Sequence, residues 1–173
     1  MTDTSEVADA LISDDMRAIE GRVLRSRTSY PISASDIRKW AIAVYYPEAP
    51  LAKFIGAGAA GGGEPLVAPE EFNPFAWATP GAKPAPADVS AGFIENSAGI
   101  APPALKFIVN GGSVFEYGVP MREGDVITNE FSVKSYTVKQ GKRGPLLVTE
   151  TQDRWTNQKG EHVRSTLMTL VRY

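Results

Sequence analysis

The stretch from Asn110 to Tyr173 most constrains the fold of this chain, because it contains four extended runs separated by three breaks. The runs are rich in Val, Ile, Thr, Phe and Tyr, the residue types that favour β-strands. They cover residues 114–120, 126–138, 146–156 and 162–173. Each break holds Gly or Asn, which tolerate the positive φ angles that tight turns need. The pattern predicts an antiparallel meander, in which each strand pairs with the next.

Alternation within two of these runs predicts a sheet with one wet face and one apolar face. The predicted apolar positions are Ile127, Phe131 and Val133 in the second run, and Val163, Leu167 and Val171 in the fourth. Their predicted wet neighbours are Glu130, Ser132 and Lys134, and His162, Arg164 and Thr166. Burying apolar surface is worth about 25 cal/mol per Å². The apolar face therefore needs a helix, a second sheet or another subunit to cover it.

Two helices are predicted between residue 21 and the sheet. The first runs from about Asp36 to Tyr45, because apolar residues recur there at helical spacing and Ser33 and Ser35 are candidate caps. The second starts at Pro69 and carries Phe72, Phe75 and Trp77. Pro69 suits a first helical turn, and Glu70 and Glu71 favour its positive end. We expect this short helix to cover the sheet.

Length and composition exclude several classes of protein. The 173 residues suffice for one domain, and the absence of Cys excludes disulfides and thiolate chemistry. A single His excludes a metal site built on several histidines, and we expect no metal and no cofactor. A net charge of -2 with mixed signs gives no basic face for nucleic acid. No apolar run is long enough to span a membrane, so we expect a cytoplasmic protein.

The domain plan follows from where the patterns begin and end. Residues 1–20 predict an N-terminal helical extension, and residues 21–173 predict one domain. A loop-rich insertion is expected around residues 79–105, where Pro, Ala and Gly interrupt every periodic pattern. The Gly- and Ala-rich residues 55–63 are expected to form a mobile loop.

Several ordered motifs resemble one known family. The sequence reads LVAPEEF at 66–72, NGGS at 110–113, FEY at 115–117 and PMREGD at 120–125. It continues with GPLL at 144–147, NQKGE at 157–161 and TLMTL at 166–170. Together these residues resemble the N-terminal, FAS1-type dehydratase domain of the MaoC-like family, over roughly residue 20 to the C-terminus.

The resemblance implies an α+β hot-dog fold, in which a curved antiparallel sheet wraps a central helix. It also implies pairing of two such units into a double hot dog. Family enzymes add water to, or remove it from, acyl thioesters of coenzyme A or acyl carrier protein. Their active half carries the pattern Asp-x-Asn-Pro-x-His after the helix that here ends near Tyr45.

This chain departs from that active pattern. With Pro50 aligned, Pro47 stands in place of the Asp, Ala49 in place of the Asn, and Ala52 in place of the His. Neither Pro nor Ala can transfer a proton. Non-catalytic halves and small subunits of double hot-dog hydratases resemble this chain and also lack the pair. The resemblance therefore implies the non-catalytic subunit of a heteromeric (R)-type enoyl-CoA hydratase or 3-hydroxyacyl thioester dehydratase. Its expected partner is a second hot-dog subunit that carries the intact motif.

The candidate site residues each have a functional and a structural interpretation. The backbone N–H of Glu70 or Glu71 can donate to a thioester oxygen, or the two residues can simply begin a core helix. Asn110, Gly111 and Gly112 can border the substrate channel, since glycine admits close approach, or form a β-bulge. Glu48 is the one candidate catalytic carboxylate. The structural alternative is that Glu48 is a loop residue that faces solvent.

Two other functions remain open at this point. A homodimeric hot-dog protein would bind an acyl thioester without reaction. A thioesterase would need Glu48 as its general base. The sequence does not name the acyl group, and it does not decide between coenzyme A and a carrier protein.

Overall fold

A computed structural model describes residues 11–76, 90–142 and 144–173 of the chain. The helices are α1 (Asp14–Ala18), α2 (Ala34–Tyr45), α3 (Ala52–Ile55) and α4 (Phe93–Ala98), with a single 3₁₀ turn at Ala59–Gly61. The strands are β1 (Val23–Thr28), β2 (Ile108–Tyr117), β3 (Thr128–Gly141), β4 (Gly144–Thr156) and β5 (His162–Arg172). None of the helices in these ranges is long and apolar enough to span a membrane.

The five strands form one antiparallel sheet in the order β1-β3-β4-β5-β2. Strands β3, β4 and β5 form the predicted meander, but the placement predicted for the first run is wrong. Strand β2 pairs with β5 instead of β3, so that Tyr117 lies opposite Arg164. The connection from residue 118 to 127 is too long for a tight hairpin, and it carries the chain across to the far side of the meander. This arrangement leaves β1 and β2 as the two edge strands.

The alternation predicted for the second run is confirmed in β3. Phe131 and Val133 are buried, and Ile127 just before the strand is fully buried. A β-bulge between Val133 and Ser135 then shifts the pairing by one residue. A shift of one residue reverses the two faces of a strand. The odd-numbered positions are therefore buried before the bulge, and the even-numbered Tyr136 is buried after it.

The alternation predicted for the fourth run is wrong beyond its first residues. Val163 is buried as expected, but Leu167 and Val171 are only half-buried. Leu170 and Arg172 are the buried positions near the end of β5. The strand contributes Val163 to one hydrophobic cluster and Leu170 to another, so no single face is buried along its length.

Helix α2 confirms its predicted position, and the Ser33 hydroxyl accepts a hydrogen bond from the Asp36 N–H at 3.1 Å as its cap. The helix predicted from Pro69 to Trp77 is wrong over its described part, because residues 69–76 form turns. The Asn73 Oδ1 accepts from the Phe75 N–H at 3.0 Å, a local bond that competes with a helix, and Pro74 cannot supply a helical N–H. Trp77 lies outside the described residues.

Two hydrophobic clusters fill the core. The first joins α2 and the 66–75 turns to the sheet and contains Ile37, Phe72 and Trp155. The second contains Met16, Ile94 and Tyr136, so both α1 and α4 pack against the sheet. The apolar face of the sheet is thus covered by α1, α2, α4 and the 66–75 turns together, instead of by one helix at 69–77. Helix α4 lies within the described part of the expected 79–105 insertion, at 90–105; residues 79–89 lie outside it.

A buried ion pair fastens α4 to the sheet. The Arg172 guanidinium donates to both carboxylate oxygens of Glu95, at 2.8 and 3.1 Å, and both side chains are completely buried. It also donates to the Ala91 carbonyl oxygen at 2.9 Å and the Thr149 hydroxyl at 2.7 Å. The Tyr136 hydroxyl donates to Glu95 at 2.8 Å, and burial together with the Glu95 carboxylate raises the pKa of this phenol. The network closes this end of the core.

Candidate functional site

Two cavities flank the turn at residues 67–71, on the side of the sheet where β2 ends and β5 begins. The larger has a volume of about 370 Å³ and lies between this turn, the end of α2 and Lys53 and Phe54. The smaller, about 240 Å³, lies between the same turn, residues 117–121 and the start of β5. Both are bordered by Ala68, Pro69, Glu70 and Pro120. The turn is therefore the wall that the two cavities share.

The structure places Glu70 and Glu71 at these cavities. Glu70 borders both, and Glu71 borders the larger one. The Tyr117 hydroxyl donates to the Glu71 carboxylate at 2.7 Å, and this hydrogen bond raises the pKa of the phenol. Tyr117 ends β2, so the bond ties the edge strand to the turn. Because residues 69–76 are not helical, no helix dipole supports the Glu70 and Glu71 N–H groups as donors.

Arg164 forms the opposite wall of the smaller cavity. Its guanidinium lies 3.6 Å from the centre of the Trp155 ring, which lies opposite it on β4. Burial lowers the pKa of this guanidinium, while the nearby Glu71 and Asp153 carboxylates act in the other direction. Its Nε is buried without a hydrogen-bond partner. A half-buried cation without a bonded acceptor is unusual, because burying an unpaired charge is costly.

Asn110, Gly111 and Gly112 lie at the other end of β2, away from the residues that border the two cavities. They form a β-bulge, and the Asn110 Oδ1 accepts from the Gly112 N–H at 2.8 Å. A Cβ on Gly111 would lie 3.2 Å from methyl groups of Thr169 and Val171. The geometry therefore gives Gly111 a packing reason to be glycine, and a role of these three residues in substrate binding stays a prediction.

Glu48 lies in the turn after α2, exposed to solvent. It does not border either cavity beside the 67–71 turn. The single histidine, His162, starts β5, and its Nε2 lies 2.9 Å from the Ser165 hydroxyl. Within the described ranges no group of three or more His, Asp or Glu side chains is placed to hold a metal ion.

The Gly-rich segment at residues 56–63 borders a third cavity of about 230 Å³ together with Lys53 and Arg122. The segment has specific anchors. The Arg38 guanidinium donates to the carbonyl oxygens of Gly56 and Ala57 at 2.6 and 3.3 Å. The Glu123 carboxylate accepts from the Ala59 N–H at 3.0 Å, and a Cβ on Gly58 would lie only 2.6 Å from that carboxylate. These contacts anchor the loop to α2 and to the 122–125 turn, and its mobility stays a prediction.

Sequence reasoning misses Tyr117 and Arg164 as members of this site. Because Arg164 follows Val163, alternation places it on the solvent-exposed face of the sheet. Its contact with Trp155 can be recognised only once the register between β4 and β5 is known. Tyr117 reaches Glu71 only because β2 lies beside β5 instead of β3. The one available signal is a basic residue directly opposite an aromatic residue in two adjacent predicted strands.

Comparisons with known proteins agree on one family and one fold. The family model described as "FAS1-like, dehydratase domain region" matches residues 18–166. No curated protein matches the chain in sequence. A chain of the ChsH1-ChsH2 complex from Mycobacterium tuberculosis is similar in structure, with a TM-score of 0.62, 16% identity, and coverage of 99% of this chain and 93% of that one.

Two further solved structures are similar. A chain of the C-terminally truncated HadBC (3R-hydroxyacyl-ACP dehydratase) complex, also from Mycobacterium tuberculosis, gives a TM-score of 0.54 and 20% identity over 93% of this chain and 99% of that one. A MaoC-like dehydratase is similar with a TM-score of 0.52 and 20% identity, over 89% of this chain and 43% of that one. The α+β hot-dog fold implied by the sequence motifs is confirmed.

Proposed function

This chain belongs to the family of FAS1-like dehydratase domain regions, and on that premise we propose that it is the pocket-shaping subunit of a two-chain hydratase. The reaction is hydration of an enoyl thioester, or the reverse dehydration of a 3-hydroxyacyl thioester. A partner hot-dog subunit supplies the acid and the base from its Asp-x-Asn-Pro-x-His motif. The thioester carries coenzyme A or an acyl carrier protein.

The observation that carries this proposal is the exposure of β2. The whole strand lies at an edge of the sheet, and every residue after Ile108 is exposed. The exposed apolar side chains include Val114 at 65%, Phe115 at 49% and Val109 at 45%. A long edge strand with unpaired N–H and C=O groups and apolar side chains is a template for pairing with another chain. This edge supports a partner subunit that continues the sheet.

The chemistry at the cavities supports a division of labour. Hydration needs a base that activates water and an acid that protonates the α-carbon. The carboxylates at the cavities beside the 67–71 turn are Glu70 and Glu71, and Glu71 already accepts the Tyr117 hydroxyl. Ala52, which replaces the motif His, is the first residue of α3 and carries no group that titrates. Among the described residues these two cavities offer no matched pair of acid and base, which supports a chain that shapes the cavity while its partner supplies the proton transfer.

The test is co-expression of this chain with a hot-dog protein that carries the intact motif, sought first among the neighbouring genes. We expect the purified pair to consume an enoyl-CoA substrate, measured by loss of its conjugated absorbance, and each protein alone to be inactive. Full activity of this chain alone would contradict the proposal.

The same exposed edge also suits a second copy of this chain, so a homodimeric thioester-binding protein is the second candidate. Light scattering on the isolated protein separates the two. A subunit that lacks its partner exposes the apolar edge and should aggregate or remain unstable, whereas a homodimer gives one stable mass. A thioesterase would release free thiol from acyl-CoA, and the Glu48→Gln variant would abolish that release.

A further inference from the structure

Arg164 is built into the cavity wall by two neighbouring strands. Its direct partners in the sheet are Trp155 on β4 and Tyr117 on β2. The centre of the guanidinium lies 3.6 Å from the centre of the Trp155 ring, a cation–π contact that holds the side chain against the ring. The side chain is therefore held in place where Arg164 borders the 240 Å³ cavity.

The guanidinium has no acceptor of its own among the described residues. No hydrogen bond or ion pair of the described chain uses its nitrogens, and its buried Nε is left unpartnered. Two carboxylates that act on its charge, those of Glu71 and Asp153, form hydrogen bonds with other residues. Glu71 accepts the Tyr117 hydroxyl at 2.7 Å, and Asp153 accepts the Asn129 amide at 2.9 Å. An incoming acceptor would give the terminal N–H groups of Arg164 a hydrogen-bond partner that no described residue supplies.

The charges around the cavity favour a neutral acceptor over an anion. Glu70 borders the cavity, and the Glu71 and Asp153 carboxylates lie close enough to influence the Arg164 charge. An anionic group bound at Arg164 would also face these carboxylates. A carbonyl oxygen accepts the same N–H groups without that repulsion.

We propose that Arg164 donates a hydrogen bond to a carbonyl oxygen of the bound thioester ligand, within the cavity bordered by Glu70, Tyr117 and Arg164. The inference rests on the proposed function and adds a binding residue to it. The carbonyl is either that of the thioester or an amide of the pantetheine arm. Arg164 binds and orients this group, and it takes no part in proton transfer.

The test measures ligand binding to the full chain, by calorimetry and by tryptophan fluorescence. Where the chain co-purifies with its partner, the complex is used. Two ligands are compared. Butyryl-CoA contains the thioester carbonyl and cannot be hydrated, and free coenzyme A contains only the pantetheine amides. We expect Arg164→Gln to weaken butyryl-CoA binding roughly 10-fold to 100-fold, the range for a hydrogen bond from a charged donor. Arg164→Lys, which keeps the charge and loses the planar fork, should restore only part of the affinity.

Arg154→Gln is the matched control, because it removes an exposed arginine from the neighbouring strand. It should leave both affinities within about twofold of wild type. If Arg164→Gln weakens both ligands equally, the acceptor is a pantetheine amide. If it weakens butyryl-CoA alone, the acceptor is the thioester carbonyl.

Equal affinities of wild type and Arg164→Gln for both ligands would overturn the inference, as would a wild-type protein that binds neither. The proposed function stands or falls separately, on hydratase activity of the pair. If Arg164→Gln does not fold, the ¹H–¹⁵N signal of Arg164 Nε in the wild-type protein decides. It should shift when butyryl-CoA is added, and an unmoved signal overturns the inference.

Discussion

Arg172 and Arg164 lie near opposite ends of the same strand. Both lie over an aromatic ring and both have a buried Nε without a hydrogen-bond partner, but the hydrogen bonding of their terminal nitrogens differs. Arg172 is fully buried and donates to Glu95, Ala91 and Thr149. Arg164 is half-buried, has no acceptor among the described residues and borders a cavity. One end of the sheet is closed by a paired charge, and the other is left open with an unpaired one. The comparison separates a residue that holds the fold from one that is free to hold a ligand.

The largest expected effect is at the closed end. Glu95→Gln removes the counter-charge of Arg172 and should lower the free energy of unfolding by about 3–5 kcal/mol, because it leaves a buried cation uncompensated. Urea unfolding measures this loss. Glu150→Gln is the control, since Glu150 is half-buried and accepts from the Ser135 hydroxyl at 3.0 Å, and its loss should be below about 1 kcal/mol. A Glu95→Gln loss as small as the control would remove the contrast between the two ends.

Replacing both charges sharpens the same contrast. The double variant Glu95→Leu with Arg172→Met should recover most of the stability lost in Glu95→Gln, because apolar residues of similar volume often replace a buried ion pair without loss. The comparison of urea midpoints among the three proteins measures this recovery. A double variant less stable than Glu95→Gln would show that the hydrogen bonds of Arg172 to Ala91 and Thr149 dominate over its pairing with Glu95.

A smaller effect is expected at Tyr136, which donates to Glu95 at 2.8 Å. Tyr136→Phe should lower stability by about 1–2 kcal/mol at neutral pH, since it removes one buried hydrogen bond to a charged acceptor. The pKa of this phenol is raised in the folded protein, by burial together with the Glu95 carboxylate. The unfolded chain therefore releases the proton first, near its ordinary pKa of about 10, and wild type should lose its advantage over Tyr136→Phe as the pH rises above about 10. An advantage that grew with pH would contradict the assignment.

The smallest effect on stability is expected at the open end. Arg164→Gln loses a cation–π contact but also removes a half-buried unpaired charge, so the two effects oppose each other. Thermal and urea unfolding should place it within about 1 kcal/mol of wild type. A loss comparable to that of Glu95→Gln would mean that Arg164 is as structural as Arg172.

The sequence predicts the local elements well and the long-range arrangement poorly. Strand alternation identifies β3, and the Ser33 cap identifies α2, because both signals lie within a few residues. Pairing of β2 with β5 depends on contacts between distant segments, so the meander prediction fails there. The predicted covering helix does not form, because Asn73 and Pro74 favour turns. The prediction gives more weight to the aromatic residues of the segment than to this local signal.

The candidate site is predicted only where local sequence suffices. Glu70 and Glu71 lie at the cavities because the 66–72 motif forms one wall. Tyr117 and Arg164 join them through strand register, which alternation does not encode. Arg172 and Glu95 are missed because a charged residue in an alternating strand is expected on the wet face, and only the fold supplies its buried partner.

The central claim is that the proton-transferring groups belong to the partner and the cavity to this chain. Hydration kinetics of the purified pair test it most directly, with substitutions made on one side at a time. Replacing the motif Asp and His of the partner should abolish turnover, while the double variant Glu48→Gln, His162→Gln in this chain should keep the turnover rate within about twofold, since neither group takes part in proton transfer. If that double variant still assembles with its partner and yet turns over substrate about two orders of magnitude more slowly, the claim is contradicted.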